Sequence, residues 1–367
     1  ILIIFGTRPE AIKMAPVVKS FKKNDVFETR VCVTAQHREM LDQVLDFFDI
    51  IPDFDLDLMK PNQNLYNLTG EIISELKTVL ETFPADFVFV HGDTTTTMAA
   101  SIAAFYSGAK VCHVEAGLRT NNKNAPFPEE INRQIAGRIA DYHFAPTKKS
   151  QKNLLNENIQ ESNIIVTGNT VIDALLDAVD RIKNIENDTI NMLKKIIDFE
   201  KDLILVTGHR RENHGDGFLN ICYALKQITE ENNVQIIYPV HLNPNVQKPV
   251  NKILSNVENI NLIDPLPYEA FLWLMEKSKL IITDSGGVQE EAPSLGKPVL
   301  VMRETTERPE AVDAGTVILV GTDIQKIVSH TNTLLQDKFE YEKMSKLHNP
   351  YGDGKASNRI LEFLLDK

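Results

Sequence analysis

The sequence is poor in the residues that mark disulfide-stabilised and zinc-binding proteins. It contains three cysteines in 367 residues, with no CxxC pair and no Cys/His spacing typical of a zinc site. Cys32, Cys112 and Cys222 lie in apolar strand-like or helical patterns, which predicts buried thiols rather than a disulfide or a metal site. An odd number of cysteines also suits a reducing compartment.

Long apolar runs and excess positive charge are absent as well. No apolar run approaches the roughly 18 residues of a membrane-spanning helix, and the chain opens on an apolar strand without the charged start of a signal peptide. We therefore expect a cytoplasmic protein with no membrane contact. The net charge of −12 argues against a nucleic-acid partner, because the phosphates would be repelled. Local clusters of arginine and lysine remain able to bind a small anion.

Two phosphate-binding fingerprints are missing too, namely GxGxxG and GxxxxGK[ST]. Neither a nicotinamide dinucleotide site nor a P-loop is therefore expected. The sequence predicts no cofactor and no metal.

Short apolar, β-branched segments alternate with helical patterns through the first half of the chain. This alternation predicts a parallel, doubly wound α/β sheet. The predicted strands are Leu2–Phe5, Arg30–Thr34, Phe87–His91, Lys110–Val114, Tyr142–Ala145 and Ile164–Val166. The predicted helices between them include Ala11–Lys22, Met40–Phe48, Leu65–Thr82 and Thr95–Tyr106.

The same pattern restarts after a polar, charged segment at 184–202. Its predicted strands are Leu203–Val206, Val234–Pro239, Ile260–Ile263, Leu280–Thr283, Val299–Met302 and Thr316–Val320, with a helix at Phe218–Glu231 among them. We therefore expect two Rossmann-like domains, at residues 1–170 and 171–356. A last helix at 357–367 is expected to pack back on the first domain.

Polar clusters follow several predicted strands, where open α/β sheets bind their ligands. In the first half, Gly6-Thr7-Arg8 with Lys13 suits an anion at a helix start, although an ordinary strand–helix turn fits equally well. Asp93 follows a strand and precedes four threonines, so it either caps a helix or serves the site. Glu115 also ends a strand, and an ion pair is its structural alternative.

Further clusters lie behind Glu115 and in the second half of the chain. Glu129 and Arg133 share a helix face, which is also the pattern of a simple surface pair. His209 and Arg210 follow a strand and favour a diphosphate or effector site. Ser285-Gly286-Gly287 opens a helix where phosphate can approach closely, with Glu291 placed to bind a ribose. Together the clusters predict a cleft that binds a nucleoside diphosphate and a group attached to it.

The chain resembles the non-hydrolysing UDP-N-acetylglucosamine 2-epimerases over essentially its whole length. The segments that carry the resemblance in the first half are Phe5–Pro16, Thr34–Arg38, His91–Thr95, Glu115–Arg119 and Gly168–Thr170. Those in the second half are His209–Asn213, Tyr238–His241, Asp284–Pro298, Thr306–Glu310 and Asn349–Gly354.

The resemblance implies a glycosyltransferase-B-like fold with the active site in the cleft between two domains, usually in a homodimer. It implies that the partners are UDP-N-acetylglucosamine (UDP-GlcNAc) and UDP-N-acetylmannosamine (UDP-ManNAc), which the family interconverts. The implied catalytic residues are Asp93, Glu115, Glu129 and His209, the last as a cation that stabilises departing UDP. The implied substrate-binding residues are Arg8, Lys13, Arg133, Ser285, Gly286, Gly287, Glu291 and Arg308.

Bacterial members of that family also bind a second UDP-GlcNAc as an activator. Gln36, Arg210 and His241 match that effector site. Glu39 and Asn62 depart from the glutamine and arginine expected there in strongly activated members. The resemblance therefore implies an effector site without fixing the strength of activation.

The chemistry of such a reaction explains the need for carboxylates. The C2 proton of the sugar is not next to a carbonyl, and no nicotinamide motif is present to create one by oxidation. Elimination of UDP remains, with a carboxylate base on one face of the sugar and a protonated acid on the other. Three other functions stay open from the sequence: a hydrolysing 2-epimerase, a glycosyltransferase of the same fold, and a nucleotide-sugar sensor without catalysis.

Overall fold

Two α/β units make up the computed structural model, which describes residues 1–35, 38–58, 63–183 and 186–367. The first unit comprises Ile1–Asp177 with Tyr351–Lys367, and the second comprises Ala178–Pro350. Each unit has its own parallel sheet and its own apolar core.

The described strands of the first unit form a seven-stranded parallel sheet in the order β3-β2-β1-β4-β5-β6-β7. These strands are β1 Leu2–Phe5, β2 Arg30–Val33, β3 Phe54–Asp55, β4 Phe87–His91, β5 Lys110–Val114, β6 Tyr142–Ala145 and β7 Ile164–Val166. Its helices are α1 Arg8–Lys22, α2 Arg38–Phe47, α3 Leu65–Thr82, α4 Thr95–Ser107, α5 Glu129–Ile139, α6 Lys148–Asn156 and α7 Thr170–Ile182, the last of which continues into the second unit. A 3-10 turn spans Glu161–Asn163.

The described strands of the second unit form a six-stranded parallel sheet in the order β10-β9-β8-β11-β12-β13. These strands are β8 Asp202–Thr207, β9 Val234–Pro239, β10 Ile260–Ile263, β11 Leu280–Thr283, β12 Val299–Val301 and β13 Val317–Leu319. Its helices are α8 Asp188–Ile196, α9 Asp216–Glu231, α10 Pro244–Leu254, α11 Tyr268–Lys277, α12 Gly286–Glu291, α13 Pro309–Asp313, α14 Ile324–Gln336 and α15 Lys338–Ser345. Further 3-10 turns span Arg211–Asn213 and Ala292–Leu295.

The last helix, α16 Ala356–Leu365, belongs to the first unit and packs against α1. Asp173 fixes its start, because the Asp173 carboxylate accepts hydrogen bonds from the backbone of Ala356 and from both the backbone and the hydroxyl of Ser357.

Local sequence signals set the start of the helices that border the loops of interest. Thr7 caps α1 in a capping box with Glu10, which satisfies backbone N–H groups that a helix start leaves unpaired. Thr94 caps α4 through the backbone N–H of Thr97. Both caps keep a polar loop at the carboxyl end of a buried strand.

The predicted fold class, two doubly wound Rossmann-like units, is confirmed. The two-residue strand β3 and the helix α8 are additions to the predicted elements. β3 is too short to show a pattern, and α8 lies in the polar, charged segment at 184–202, whose composition predicts a break between the two series. The three cysteines are buried free thiols, as predicted. Within the described residues, no helix combines the length and apolarity needed to cross a membrane.

Candidate functional site

Each sheet reverses its strand order once, and the polar loops flank that reversal. In the first unit, β1 lies beside β4, and in the second unit β8 lies beside β11. Chains that leave such neighbouring strands in opposite directions open a crevice at the carboxyl ends of the strands, where ligands bind. The loops beginning at Gly6 and Gly92 border this crevice in the first unit, and those beginning at Gly208 and Asp284 border it in the second.

Glu10 joins the two loops that border the first crevice. Its Oε2 accepts hydrogen bonds from the backbone of Gly6 (3.1 Å), the backbone of Thr7 (2.8 Å) and the Thr7 hydroxyl (2.8 Å). Its Oε1 accepts from the hydroxyls of Thr94 (2.7 Å) and Thr97 (3.3 Å). Burial raises the pKa of Glu10, and the bonds from Thr94 and Thr7 oppose that shift. Glu10 therefore positions the loop that contains Asp93.

Glu115 is held in one orientation at the end of β5. Its backbone has a φ of +59°, which a residue with a Cβ rarely adopts. Lys13 forms an ion pair with Oε2 of Glu115, and Asn169 Nδ2 donates to the same oxygen at 2.8 Å. Both Lys13 and Glu115 are nearly buried, with side chains 12% and 10% exposed. Lys13, which the sequence assigned to substrate binding, thus contacts a predicted catalytic carboxylate.

Two buried neutral histidines lie in the strands β4 and β5, and one of them, His91, lies beside Glu115. His91 Nε2 is 3.8 Å from Glu115 Oε2 and has no hydrogen-bond partner among the described residues. Burial lowers the pKa of His91 to about 4, although Glu115 opposes the shift. Burial likewise lowers the pKa of His113 to about 3, and its Nε2 lies 2.7 Å from the carbonyl oxygen of Gly92. Because both rings are neutral, the charges near Glu115 come from the carboxylates and from the cations that pair with them.

Asp93 lies within the electrostatic reach of both other predicted carboxylates. Burial raises its pKa, and the charges of Glu115 and Glu129 raise it further, while Arg133 opposes the shift through an ion pair with Asp93 Oδ2. Glu129 is the first residue of α5 and is half-buried. The structure therefore brings the three predicted catalytic carboxylates together with Lys13 and Arg133.

Arg133 is a buried residue with two carboxylate partners, Asp93 and Glu130. Glu130 in turn accepts hydrogen bonds from the backbone of Thr120 and Asn121. These contacts exclude the surface pair with Glu129 that the sequence left open.

Arg8 is half-buried at the first position of α1 and has no ion pair among the described residues. Gln36 and Asn62 lie outside the residues that the structure describes, as does the side chain of Glu39.

In the second unit, the predicted ligand residues surround the crevice between β8 and β11. His209 stacks on His241, with ring centroids 5.3 Å apart and planes at 16°. Its Nδ1 lies 3.7 Å from Oδ1 of the buried Asp284. Burial lowers the pKa of His209, with Asp284 opposing and His241 and Arg210 adding to the decrease. The ring is 45% exposed, so a ligand can reach it.

Arg210 and Arg308 contact the same carboxylate. Glu307 Oε1 accepts from Arg308 at 2.7 Å and from Arg210 at 3.4 Å, while Oε2 accepts from Arg303 at 2.7 Å. Burial alone would raise the pKa of Glu307, but Arg308 and Arg303 hold it at about 2. Arg308 also donates to Glu290 at 2.8 Å. A predicted effector residue and a predicted UDP ligand are thereby linked through one carboxylate.

The start of α12 fits closely around Arg308. A Cβ built on Gly286 would lie 2.7 Å from Cζ and Nη1 of Arg308, so only glycine leaves the guanidinium in place. Ser285 precedes this turn, and its hydroxyl forms no cap bond to the helix. Glu291 is nearly buried, and its Oε1 lies 3.5 Å from the hydroxyl of Tyr268.

Three acidic residues that organise these loops were missed as site residues in the sequence. Glu10 was identifiable, because Thr7-x-x-Glu10 is the pattern of a capping box. A capping box places the glutamate carboxylate beside the loop that precedes the helix. Asp284 and Glu307 gave no comparable signal, because an aspartate or glutamate near glycine or arginine is common on protein surfaces.

A model of the UDP-N-acetylglucosamine 2-epimerase family matches residues 19–365 of this chain. The chain is 59% identical over 367 residues to the UDP-N-acetylglucosamine 2-epimerase of Yersinia pestis, covering 99% of this chain and 98% of that protein.

Solved structures give the same result for the fold. The UDP-GlcNAc 2-epimerase from Neisseria meningitidis, bound to UDP-GlcNAc, is 52% identical with a TM-score of 0.89, covering 100% of this chain and 99% of that one. The Methanocaldococcus jannaschii UDP-GlcNAc 2-epimerase, in complex with UDP-GlcNAc and UDP, is 34% identical with a TM-score of 0.81, covering 100% and 99%. The predicted likeness to glycosyltransferase-B folds is consistent with these neighbours.

Proposed function

We propose that this chain interconverts UDP-GlcNAc and UDP-ManNAc. The premise is that the chain belongs to the UDP-N-acetylglucosamine 2-epimerase family and is therefore an isomerase. The observation that carries the proposal is the cluster of Asp93, Glu115 and Glu129 with the cations Lys13 and Arg133. Inversion at C2 needs a base and an acid on opposite faces of the sugar, and clustered carboxylates of different environment supply both.

The proposed route is elimination followed by re-addition. The base removes the C2 proton while the C1–O bond breaks, so that a C1=C2 double bond forms and UDP leaves with the bonding electrons. The acid then protonates C2 on the opposite face, and a UDP oxygen attacks C1 to restore the glycosidic bond. The two half-reactions balance without any oxidant or reductant.

The environments of the carboxylates support different roles for them. Glu115 is paired with Lys13, which favours its ionised form and suits a base. The pKa of Asp93 is raised by burial, and its two carboxylate neighbours add to the rise while Arg133 opposes it, which suits the acid. We assign the base to Glu115 and the acid to Asp93, and we give Glu129 the role of raising the pKa of Asp93.

The proposal assigns the recognition of UDP chiefly to the second unit. Arg308 and His209 carry the donors suited to a diphosphate, and Gly286 gives Arg308 the space that it occupies. Ser285 and Gly287 remain proposed phosphate contacts, and Glu291 a proposed ribose contact. From the first unit, Arg8 offers a guanidinium with no carboxylate partner among the described residues, which suits a phosphate ligand.

We also propose, from the resemblance alone, a homodimer and a second UDP-GlcNAc bound near Arg210 and His241. Sedimentation velocity tests the dimer. The dependence of the initial rate on UDP-GlcNAc concentration tests the activator. We expect a sigmoidal curve for the wild type and a hyperbolic curve for Arg210→Ala. A hyperbolic wild-type curve contradicts the activator.

Product analysis tests the proposed function directly. The chain is incubated with UDP-GlcNAc and the mixture is followed by ¹H and ³¹P NMR, with Asp93→Asn as the matched inactive control. We expect UDP-ManNAc to accumulate to an equilibrium that is also reached from UDP-ManNAc when a small amount of UDP-GlcNAc is added as the proposed activator. Free ManNAc with an equal amount of UDP would instead identify a hydrolysing enzyme. Turnover that requires an added acceptor would identify a glycosyltransferase, and no conversion at all would identify a sensor.

A further inference from the structure

Asp284 lies fully buried between the two loops that border the crevice of the second unit. Its Oδ2 accepts hydrogen bonds from the backbone N–H of His209 (2.9 Å), the backbone N–H of Arg210 (2.8 Å) and Asn213 Nδ2 (3.2 Å). Its own backbone N–H donates to the carbonyl of Thr207 at 3.2 Å. One carboxylate oxygen thereby fixes the backbone that carries His209.

The other oxygen of Asp284 faces the ring of His209. Oδ1 is buried, has no hydrogen-bond partner among the described residues and lies 3.7 Å from His209 Nδ1. A buried carboxylate oxygen without a hydrogen bond is costly, so its position beside a titratable ring calls for an explanation. The separation lies just beyond a hydrogen bond and within the range of an ion pair.

Two other groups act on the ring of His209. His241 stacks on one face, and the charge of Arg210 acts on the ring from the same loop. Both disfavour a cationic ring, as does burial, whereas Asp284 favours it. Asp284 is therefore the group through which this site can stabilise an imidazolium.

We infer that Asp284 is a positioning residue for His209, which keeps Nδ1 protonated against the buried carboxylate and leaves Nε2 for the diphosphate of the ligand. This inference deepens the proposed function, because a cationic His209 would stabilise the charge that develops on UDP as the C1–O bond breaks. An aspartate behind a histidine fixes the tautomer and the orientation of the ring and stabilises its charged form.

A purely structural role for Asp284 would need only the clamp made by Oδ2. The variant Asp284→Asn keeps the size of the side chain and an oxygen that can accept from the backbone, but removes the charge that faces His209. Asn213→Ala removes one bond of the clamp and keeps the charge. The two variants therefore separate the electrostatic role from the structural one.

The test is a histidine ¹³C NMR titration of the full chain without ligand, with the His209 signal assigned by its loss in His209→Gln. We expect Asp284→Asn to lower the pKa of His209 by at least about 0.5 unit, a modest shift because the ring is half-exposed and screened. Asn213→Ala should leave that pKa unchanged even where it lowers the melting temperature. An unchanged pKa in Asp284→Asn, with a loss of activity that follows the loss of stability, would overturn the inference.

A second measurement needs no variant at Asp284. In the wild-type chain, ¹⁵N correlation spectra above the pKa of His209 report which ring nitrogen carries the proton. We expect the Nδ1–H tautomer, and a dominant Nε2–H tautomer would overturn the inference. Neither measurement depends on turnover, so a failure of the proposed epimerase activity would be seen separately, in the product analysis.

Discussion

Thr94 Oγ1 donates a hydrogen bond of 2.7 Å to Glu10 Oε1, and this bond joins the loop after β4 to the loop after β1. Asp284 makes the corresponding connection in the second unit, from the loop after β11 to the backbone of His209. In both units a buried acidic side chain bridges the crevice where the strand order reverses. The proposed catalytic groups Asp93 and His209 each lie next to such a bridge.

The Glu10 bridge leads to a prediction about stability. In Glu10→Gln, one carboxylate oxygen becomes an NH₂ group. This group faces hydrogen-bond donors and cannot accept from them, so the hydrogen bonds to that oxygen are lost. We expect the free energy of unfolding to fall by about 1–3 kcal/mol, the cost of leaving buried polar groups unpaired. Urea denaturation measures it. The control is Glu28→Gln on the exposed surface pair with Arg30, expected to change stability by less than about 1 kcal/mol. Equal effects of the two substitutions would contradict the bridge.

The ion pair between Lys13 and Glu115 predicts an effect on turnover. Lys13→Met removes the cation that favours the ionised form of the proposed base, so we expect kcat to fall by about 10²-fold or more. Lys19→Met provides a matched control on the same helix, because Lys19 pairs with Asp177 at the surface. That variant should retain kcat within about twofold. A Lys13→Met enzyme with a raised KM and an unchanged kcat would place Lys13 in substrate binding instead.

Two neighbouring glycines provide a prediction about UDP affinity. A Cβ at Gly286 would meet Arg308 at 2.7 Å, whereas a Cβ at Gly287 meets its nearest side chain, Glu291, at 3.8 Å. We expect Gly286→Ala to displace Arg308 and to raise the dissociation constant of UDP at least about tenfold, which corresponds to one lost charge-assisted hydrogen bond. Isothermal titration calorimetry measures this. Gly287→Ala should have a smaller effect, and the reverse order would refute the role given to Arg308.

The fold was predictable because its signals are local and repeated. Near-continuous apolar strands such as Leu2–Phe5 and Leu280–Thr283 reflect burial on both faces of a parallel sheet. The strand–loop–helix order then placed Asp93, Glu115 and His209 at the carboxyl ends of strands before any contact was known. The pairing of Lys13 with Glu115 was not predictable, since 102 positions separate the two residues in the chain.

The roles of buried acids were harder to predict for the same reason. Asp284 lies in a conspicuous segment, but its partners His209 and Arg210 come from a loop some seventy positions earlier. The spacing of Arg133 from Glu129 left a surface pair open as an alternative, whereas its contacts are Asp93 and Glu130. Helical spacing shows which residues share a face, and only the packing of that face selects the partner.

Buried histidines predict how stability depends on pH. Burial lowers the pKa of His143 from 6.5 to about 4, so the folded chain keeps the ring neutral while the unfolded chain protonates it. The stability that depends on the neutral ring is therefore present above pH 6.5 and is lost as the pH falls towards 4.

The variant His143→Gln isolates this contribution. Between pH 7 and pH 5 its free energy of unfolding should fall by about 2 kcal/mol less than that of the wild type, because the unfolded state no longer gains this proton. Urea denaturation followed by circular dichroism measures the difference. His348→Gln, at an exposed position, should leave the wild-type dependence unchanged. A pH dependence in His143→Gln identical to that of the wild type would contradict this, because it would show that His143 is protonated over the same pH range in the folded and unfolded chain.

In the proposed reaction Glu115 removes the C2 proton and Asp93 delivers one while UDP is eliminated and re-added, and Glu129 raises the pKa of Asp93. Asp93→Asn, Glu115→Gln and Glu129→Gln should each lower kcat by at least about 10²-fold while UDP remains bound with little change in affinity. A variant with near-normal turnover would remove its residue from this set.

The most direct measurement is the reaction of UDP-GlcNAc in D₂O, with the C2 position followed by ¹H NMR. Because one group removes the proton and another delivers a proton from solvent, we expect the UDP-ManNAc formed to carry deuterium at C2. Recovered UDP-GlcNAc should also become labelled as the reaction reverses. UDP-ManNAc that retained its original C2 proton through the first turnovers would contradict the account.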